Sequence, residues 1–170
     1  MKRPHDNCYW VQAGRLLAGE YPRDLDTASS AAKLRSYLDA GVDYFIDLTE
    51  EGELQPYDAL LHDLAGANVV HKRFAIPDKS VPASAALMRA ILADIAQALA
   101  AGRVVYVHCW GGVGRTGTVV ACHLIEQGMS AEVALAQLAA WWQTVAKSNR
   151  LPVSPETPAQ RDWVLAWPQQ

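Results

Sequence analysis

Apolar residues recur along the chain with two different periods. Residues 28–40 place Leu34, Tyr37 and Leu38 at helical spacing, and Gly41 ends the run. A stripe of Tyr57, Leu60, Leu61 and Leu64 predicts a second helix from Pro56 to about Gly66. Leu87, Ile91, Ile95 and Leu99 mark the buried face of a long helix from Pro82 to Ala101, stopped by Gly102. Between these runs lie short β-rich segments at residues 42–48, 68–74 and 103–107. Residues 10–22 predict short strands around Gly14 and Gly19, and the two prolines of residues 76–82 require a loop.

A Gly-rich turn follows the strand at 103–107, and then a helix to about Gln127, closed by Gly128. Ser130 is placed to cap a helix running to about Lys147. After a loop at 148–153, Ser154 and Pro155 predict the cap and first position of a last helix through Trp167. Strands alternating with helices predict an α/β fold, a central and mainly parallel sheet flanked by helices, in one domain over residues 1–170.

Composition narrows the classes of function. A chain that is 51% hydrophobic can bury a core, and no apolar run reaches the ~18 residues of a membrane span. Residues 1–10 have no apolar signal region. Cys8, Cys109 and Cys122 show neither zinc spacing nor a disulfide framework, so a reducing, cytoplasmic setting is expected. The net charge of −3 with no basic run speaks against nucleic acid as a partner. The histidines are scattered, and no metal or other cofactor is expected.

The chemistry concentrates at residues 108–117, His-Cys-Trp-Gly-Gly-Val-Gly-Arg-Thr-Gly, between a strand and a helix start. Glycines at 111, 112 and 114 let the turn curl so that N–H groups of Trp110, Gly111, Gly112, Val113 and Gly114 converge on one phosphate. The helix adds its positive end, and Arg115 supplies a bidentate guanidinium. A cysteine in such a nest is held as thiolate, which is the nucleophile. Cys109 can therefore attack phosphorus, with the equatorial oxygens held by the amides and Arg115. The Thr116 hydroxyl can stabilise the thiolate as it leaves. Asp78, in Ile-Pro-Asp on the loop after an earlier strand, is the candidate general acid.

The His-Cys-x5-Arg-Thr-Gly stretch with Ile-Pro-Asp upstream resembles the protein tyrosine and dual-specificity phosphatase superfamily, over about residue 42 to the end. Within it the chain is similar to compact dual-specificity members of the cyclin-dependent-kinase-associated type and their bacterial relatives. The resemblance implies Cys109 as nucleophile, Arg115 as phosphate binder, Asp78 as acid and His108 as a group tuning the cysteine from beneath. Glu156-Thr157-Pro158-Ala159-Gln160 is similar to the family's glutamine loop; Gln160 matches its second glutamine, and Glu156 departs from its first. The substrate implied is a phosphorylated protein or peptide, phosphotyrosine with or without phosphoserine and phosphothreonine. Lipid is disfavoured because Trp110, Gly111 and Val113 are not lysines.

Competing readings stand beside these. The same pocket can serve a phosphate-dependent binding module without useful turnover. Gly112-x-Gly114-x-x-Gly117 literally matches the dinucleotide fingerprint, which requires a second strand after the helix; Glu132 stands at the required distance, but in a helical segment. His108 is either tuning or structural, and Trp110 either shapes the pocket mouth or covers the loop. Cys122 reads as a core cysteine, and Lys72, Arg73 and Lys79 as either a steering rim or solvated loop charges.

Overall fold

The computed structural model describes residues 2–167; residues 1 and 168–170, the ends of the expected 1–170 domain, lie outside them. Strands β1 (Cys8–Gln12) and β2 (Leu16–Gly19) precede helix α1 (Thr27–Asp39) and strand β3 (Tyr44–Asp47). Helix α2 (Asp58–Ala65), strand β4 (Val70–Arg73), helix α3 (Ala85–Ala100) and strand β5 (Val105–His108) follow. Helices α4 (Arg115–Glu126), α5 (Ala131–Trp142) and α6 (Pro158–Ala166) complete the chain.

The strands form one sheet in the order β1-β2-β5-β3-β4. Only β1 pairs antiparallel; β2, β5, β3 and β4 run parallel. A parallel sheet is covered on both faces, which is why β2, β3 and β5 are buried along their whole length. Alternation sends Leu17, Phe45 and Tyr106 into a cluster with α1 and α2. Leu16, Ile46, Val105 and Val107 point the other way, into a larger cluster with α3 to α6. Helix α4 lies at the centre of that layer, and every residue from Arg115 to Leu124 is buried.

The parallel register fixes where the loops emerge. Gly19 and Asp47 both pair with His108, and Asp47 pairs with Arg73. These four residues form a row along the carboxyl edge of the sheet. The loops after β2, β3, β4 and β5 therefore all leave on one side, where open α/β sheets place their ligands.

Three helix ends differ from expectation. α3 starts after Ser84, whose hydroxyl accepts from Leu87 N, rather than at Pro82. α5 ends at Trp142, short of Lys147: the chain turns so that Val145 is buried and Trp142 Nε1 donates to Leu151 O at 2.6 Å. α6 is capped by Thr157 and not by Ser154. Thr157 and Gln160 form a reciprocal capping box, and Pro158 takes the first helical position. The overlooked signal was Thr-x-x-Gln itself; Ser154 is spent elsewhere, donating to Val113 O at 2.7 Å.

Thr157→Ala should remove the cap of α6 and cost about 1 kcal/mol, read as a lower urea midpoint with an unchanged m-value.

Candidate active site

The loop that leaves β5 winds from Cys109 to Gly114 and enters α4 at Arg115. Two glycines in it are dictated by space. Gly112 has φ +75°, and a Cβ there would lie 2.5 Å from the Gly19 carbonyl carbon and 2.8 Å from Glu20 N. A Cβ on Gly114 would meet the Gln160 side chain at 2.7 Å. Gly111 carries no such demand, its nearest atom standing at an ordinary 3.4 Å. The segment after β2 also holds the loop directly: Tyr21 N donates to Trp110 O at 2.9 Å. The N-terminal Gly-Glu-Tyr stretch therefore braces the loop as well as extending the sheet.

Arg115 is 1% exposed and three of its five guanidinium N–H groups are engaged. Nη1 donates to Glu53 Oε2 at 2.7 Å and to Ile76 O at 3.0 Å. Nη2 donates to Glu53 Oε1 at 2.7 Å and lies 3.1 Å from Asp78 Oδ1. Burial opposes the charge on Glu53, but the bonds from Arg115 outweigh it and hold the carboxyl below its usual range. Glu53 was absent from the sequence reading. It lies in the polar loop after β3, and no local spacing links it to an arginine 62 residues away.

Cys109 lies at 3% exposure in a cavity of about 370 Å³. Asp78, Lys79, Trp110, Arg115, Arg150 and Glu156 are among the residues that line it. The cavity thus unites Cys109, Arg115 and Asp78 from three separate segments. Thr116 is fully buried, and its Oγ1 has no hydrogen-bond partner among the described residues. Thr118, by contrast, spends its hydroxyl on Gly114 O.

Beneath the loop, His108 is fully buried. The Tyr57 hydroxyl lies 2.6 Å from Nε2, and Nδ1 faces Cys109 O at 3.4 Å. Burial pushes the imidazole down to about 4, against the raising effect of Asp47. Neutral His108 is thus assigned Nδ1–H, with Nε2 accepting from Tyr57. Its neighbour Asp47 is buried, but the bonds from His71 and Thr49 hold it well below the usual carboxylate range, and Arg73 Nη2 donates to its Oδ2 at 3.1 Å.

Other expectations fare differently. Gln160 is buried and is not among the residues lining the cavity. Its Oε1 accepts from Glu156 N and Thr157 N at 3.1 Å, and its Nε2 donates to Ser80 O at 2.9 Å. It ties α6 to the Asp78 loop. Glu156, which departs from the glutamine pattern, does line the cavity. Trp110 is 57% exposed at the mouth. Lys72 and Arg73 form no rim: they pair with Asp94 and Asp47. The basic residues at the mouth are Lys79 and Arg150, which come from two distant segments, together with Lys147, which pairs with Glu20 at 2.5 Å. Cys8 and Cys122 are core thiols, Cys8 pushed up to about 11 and Cys122 higher still by burial. α4 is followed by another helix, so the second strand that a dinucleotide site requires is lacking.

Fold and loop together define the class, a cysteine-dependent phosphatase domain of the tyrosine and dual-specificity type. The chain belongs to the PTP-SAK family, the DSP-PTPase phosphatase domain of Swiss Army Knife proteins, whose model matches residues 5–162. The putative tyrosine phosphatase 067L of Invertebrate iridescent virus 3 is 32% identical over 115 residues, which is 66% of this chain and 43% of the viral protein. The chain thus matches less than half the length of that relative. Among solved structures, Tk-PTP in its active form superposes with a TM-score of 0.74 at 23% identity, covering 96% of this chain and 97% of Tk-PTP. Kinase associated phosphatase, with its catalytic cysteine changed to serine, gives 0.72 at 19% identity, covering 91% and 85%.

The buried imidazole makes a prediction about pH. Its folded value of about 4 lies below the ordinary 6.5. Between those values the unfolded chain binds a proton that the folded chain refuses, so stability falls on acidification through this window. The contribution is about 3 kcal/mol. His108→Asn should flatten the decline in urea stability from pH 7 to pH 4; an equal decline in both proteins would refute the assignment.

Proposed function

We propose that this domain hydrolyses phosphate monoesters on protein side chains in two steps, through a cysteinyl-phosphate on Cys109. The observation that carries this reading is the meeting of the Cys109 thiol, the buried Arg115 guanidinium and the Asp78 carboxylate in one cavity. In the first step the Cys109 thiolate attacks phosphorus in line with the leaving oxygen. The loop amides and Arg115 hold the three equatorial oxygens. Asp78 protonates the departing alkoxide or phenolate. Thr116, with an uncommitted hydroxyl next to the loop, donates to the sulfur when it leaves again.

The donor count of Arg115 adds a detail. With Glu53 and Ile76 O accepting from Nη1 and Glu53 from Nη2, the guanidinium keeps Nε–H and one Nη2–H uncommitted, with Asp78 Oδ1 3.1 Å from Nη2. A phosphoryl group gripped by Nε and Nη2 takes the place beside Nη2 where Asp78 stands in the free site, and that carboxyl then faces the leaving group.

The substrate class is phosphotyrosine, with phosphoserine and phosphothreonine as the alternative that rates on matched peptides will measure. The basic mouth of Lys79 and Arg150 suits acidic surroundings of the phosphosite. Among the described residues no helix is long and apolar enough to cross a membrane, and the three cysteines are free. Free thiols suit a reducing compartment, which supports a cytoplasmic setting.

On an aryl phosphate, Cys109→Ser should abolish turnover and keep phosphate binding; a variant that still turns over would refute the covalent route. Asp78→Asn should lower kcat/KM by ~10²-fold or more on a phosphopeptide and lose the basic limb of the pH profile. An unaltered profile would remove Asp78 from the acid role.

A further inference from the structure

Two large apolar side chains stand open at the cavity of Cys109, among the exposed basic residues Lys79 and Arg150. Cys109 and Arg115 are 3% and 1% exposed, whereas Trp110 and Leu151, which line the same cavity, are 57% and 38% exposed. Apolar side chains left uncovered at the mouth of a polar cavity are the informative exception to burial. We propose that Trp110 and Leu151 are specificity-determining residues that pack against the aryl ring of phosphotyrosine. Phosphoserine and phosphothreonine have no ring to offer them. The assignment rests on the phosphatase reading given above and names the side chains that decide between its substrates.

The chemistry of the ester places the ring. In phosphotyrosine the ester oxygen is bonded directly to the ring. A phosphate seated at Cys109 and Arg115 therefore puts the ring in the outer part of the cavity, where Trp110 and Leu151 are exposed. A phosphoserine puts only a methylene and peptide backbone there. At about 370 Å³, the cavity falls within the size range of sites that hold small, partly apolar ligands.

Both walls are fixed before a substrate arrives. Trp110 O accepts from Tyr21 N at 2.9 Å. Leu151 N donates to Lys147 O at 2.9 Å, and Leu151 O accepts from the buried Trp142 Nε1 at 2.6 Å. Binding a ring against them therefore orders little backbone. Trp110 also lines a neighbouring cavity of about 450 Å³, with Glu20, Lys33 and Lys147 among its other residues. It thus stands as a partition between two open spaces and does not cover the loop. Truncating it would leave a bound ring facing that charged space.

The test is kcat/KM of the full chain on two peptides that differ only in carrying phosphotyrosine or phosphothreonine. The wild type should prefer phosphotyrosine. Trp110→Ala should lower the ratio of phosphotyrosine to phosphothreonine kcat/KM by ~10-fold, chiefly through KM, and Trp110→Phe should keep most of it. Leu151→Ala should lower the ratio by about 3-fold. Equal losses on both peptides, as a general disturbance of the loop would give, would overturn the assignment. An unchanged ratio in the two alanine variants, or a wild type without preference, would overturn it as well. If the wild type hydrolysed neither peptide, the phosphatase reading itself would fall, a distinct outcome.

Discussion

A guanidinium at 1% exposure is the constraint around which the site is built. A buried charge without its partner costs about 3–5 kcal/mol, so Arg115 organises the loops near it. Glu53 arrives from the loop after β3, and Ile76 O and Asp78 from the segment after β4. Each of these loops leaves the carboxyl edge of the same parallel sheet. The cation that suits a transferring phosphoryl group is thus also the group that ties three loops together. Removing Glu53 would act on both, because it would leave the guanidinium buried with only Ile76 O and the half-exposed Asp78 as partners.

Below this layer lies a second polar row, Arg73, Asp47 and His108, adjacent across the strand register. Asp47 is satisfied by Arg73, His71 and Thr49, and His108 by Tyr57. An orderly division of charge results: Asp47 is ionised, and burial keeps His108 neutral. A neutral imidazole beneath the loop places no cation there, so the positive charge beside Cys109 comes from Arg115. The two core thiols follow the same physics. Cys8 and Cys122 meet apolar packing that disfavours their anions, while Cys109 opens onto the cavity beside the guanidinium.

Much of this was legible in the chain. The period of the apolar residues gave the alternation of strands and helices, and the spacing of Cys109, the glycines and Arg115 located the loop. What escaped was everything set by tertiary approach. The partner of Arg115 lies 62 residues upstream in a loop of ordinary polar composition. The basic mouth is assembled from Lys79 and Arg150, whereas Lys147 pairs with Glu20 and the adjacent pair Lys72 and Arg73 is consumed by Asp94 and Asp47. The error at α6 was different in kind, since two Ser/Thr-Pro pairs compete there as helix starts. Only Thr157 has a glutamine three residues on, and that reciprocal bond decides the matter.

The segment leading into α6 shows why a helix with little direct share in the cavity belongs to the site. Ser154 donates to Val113 O in the phosphate loop, and Gln160 packs against Gly114 while donating to Ser80 O beside the Asp78 turn. Glu156, between them, lines the cavity. One short stretch therefore touches the loop after β5, the turn that carries Asp78, and the cavity itself. Lys79, next to Asp78, holds φ +56°, a conformation that L residues adopt at a cost. Thr157 Oγ1 and Gln160 Nε2 donate to the carbonyls of Lys79 and Ser80 and oppose relaxation of that turn. The turn next to Asp78 is thus braced from the segment that opens α6, through bonds to its backbone carbonyls.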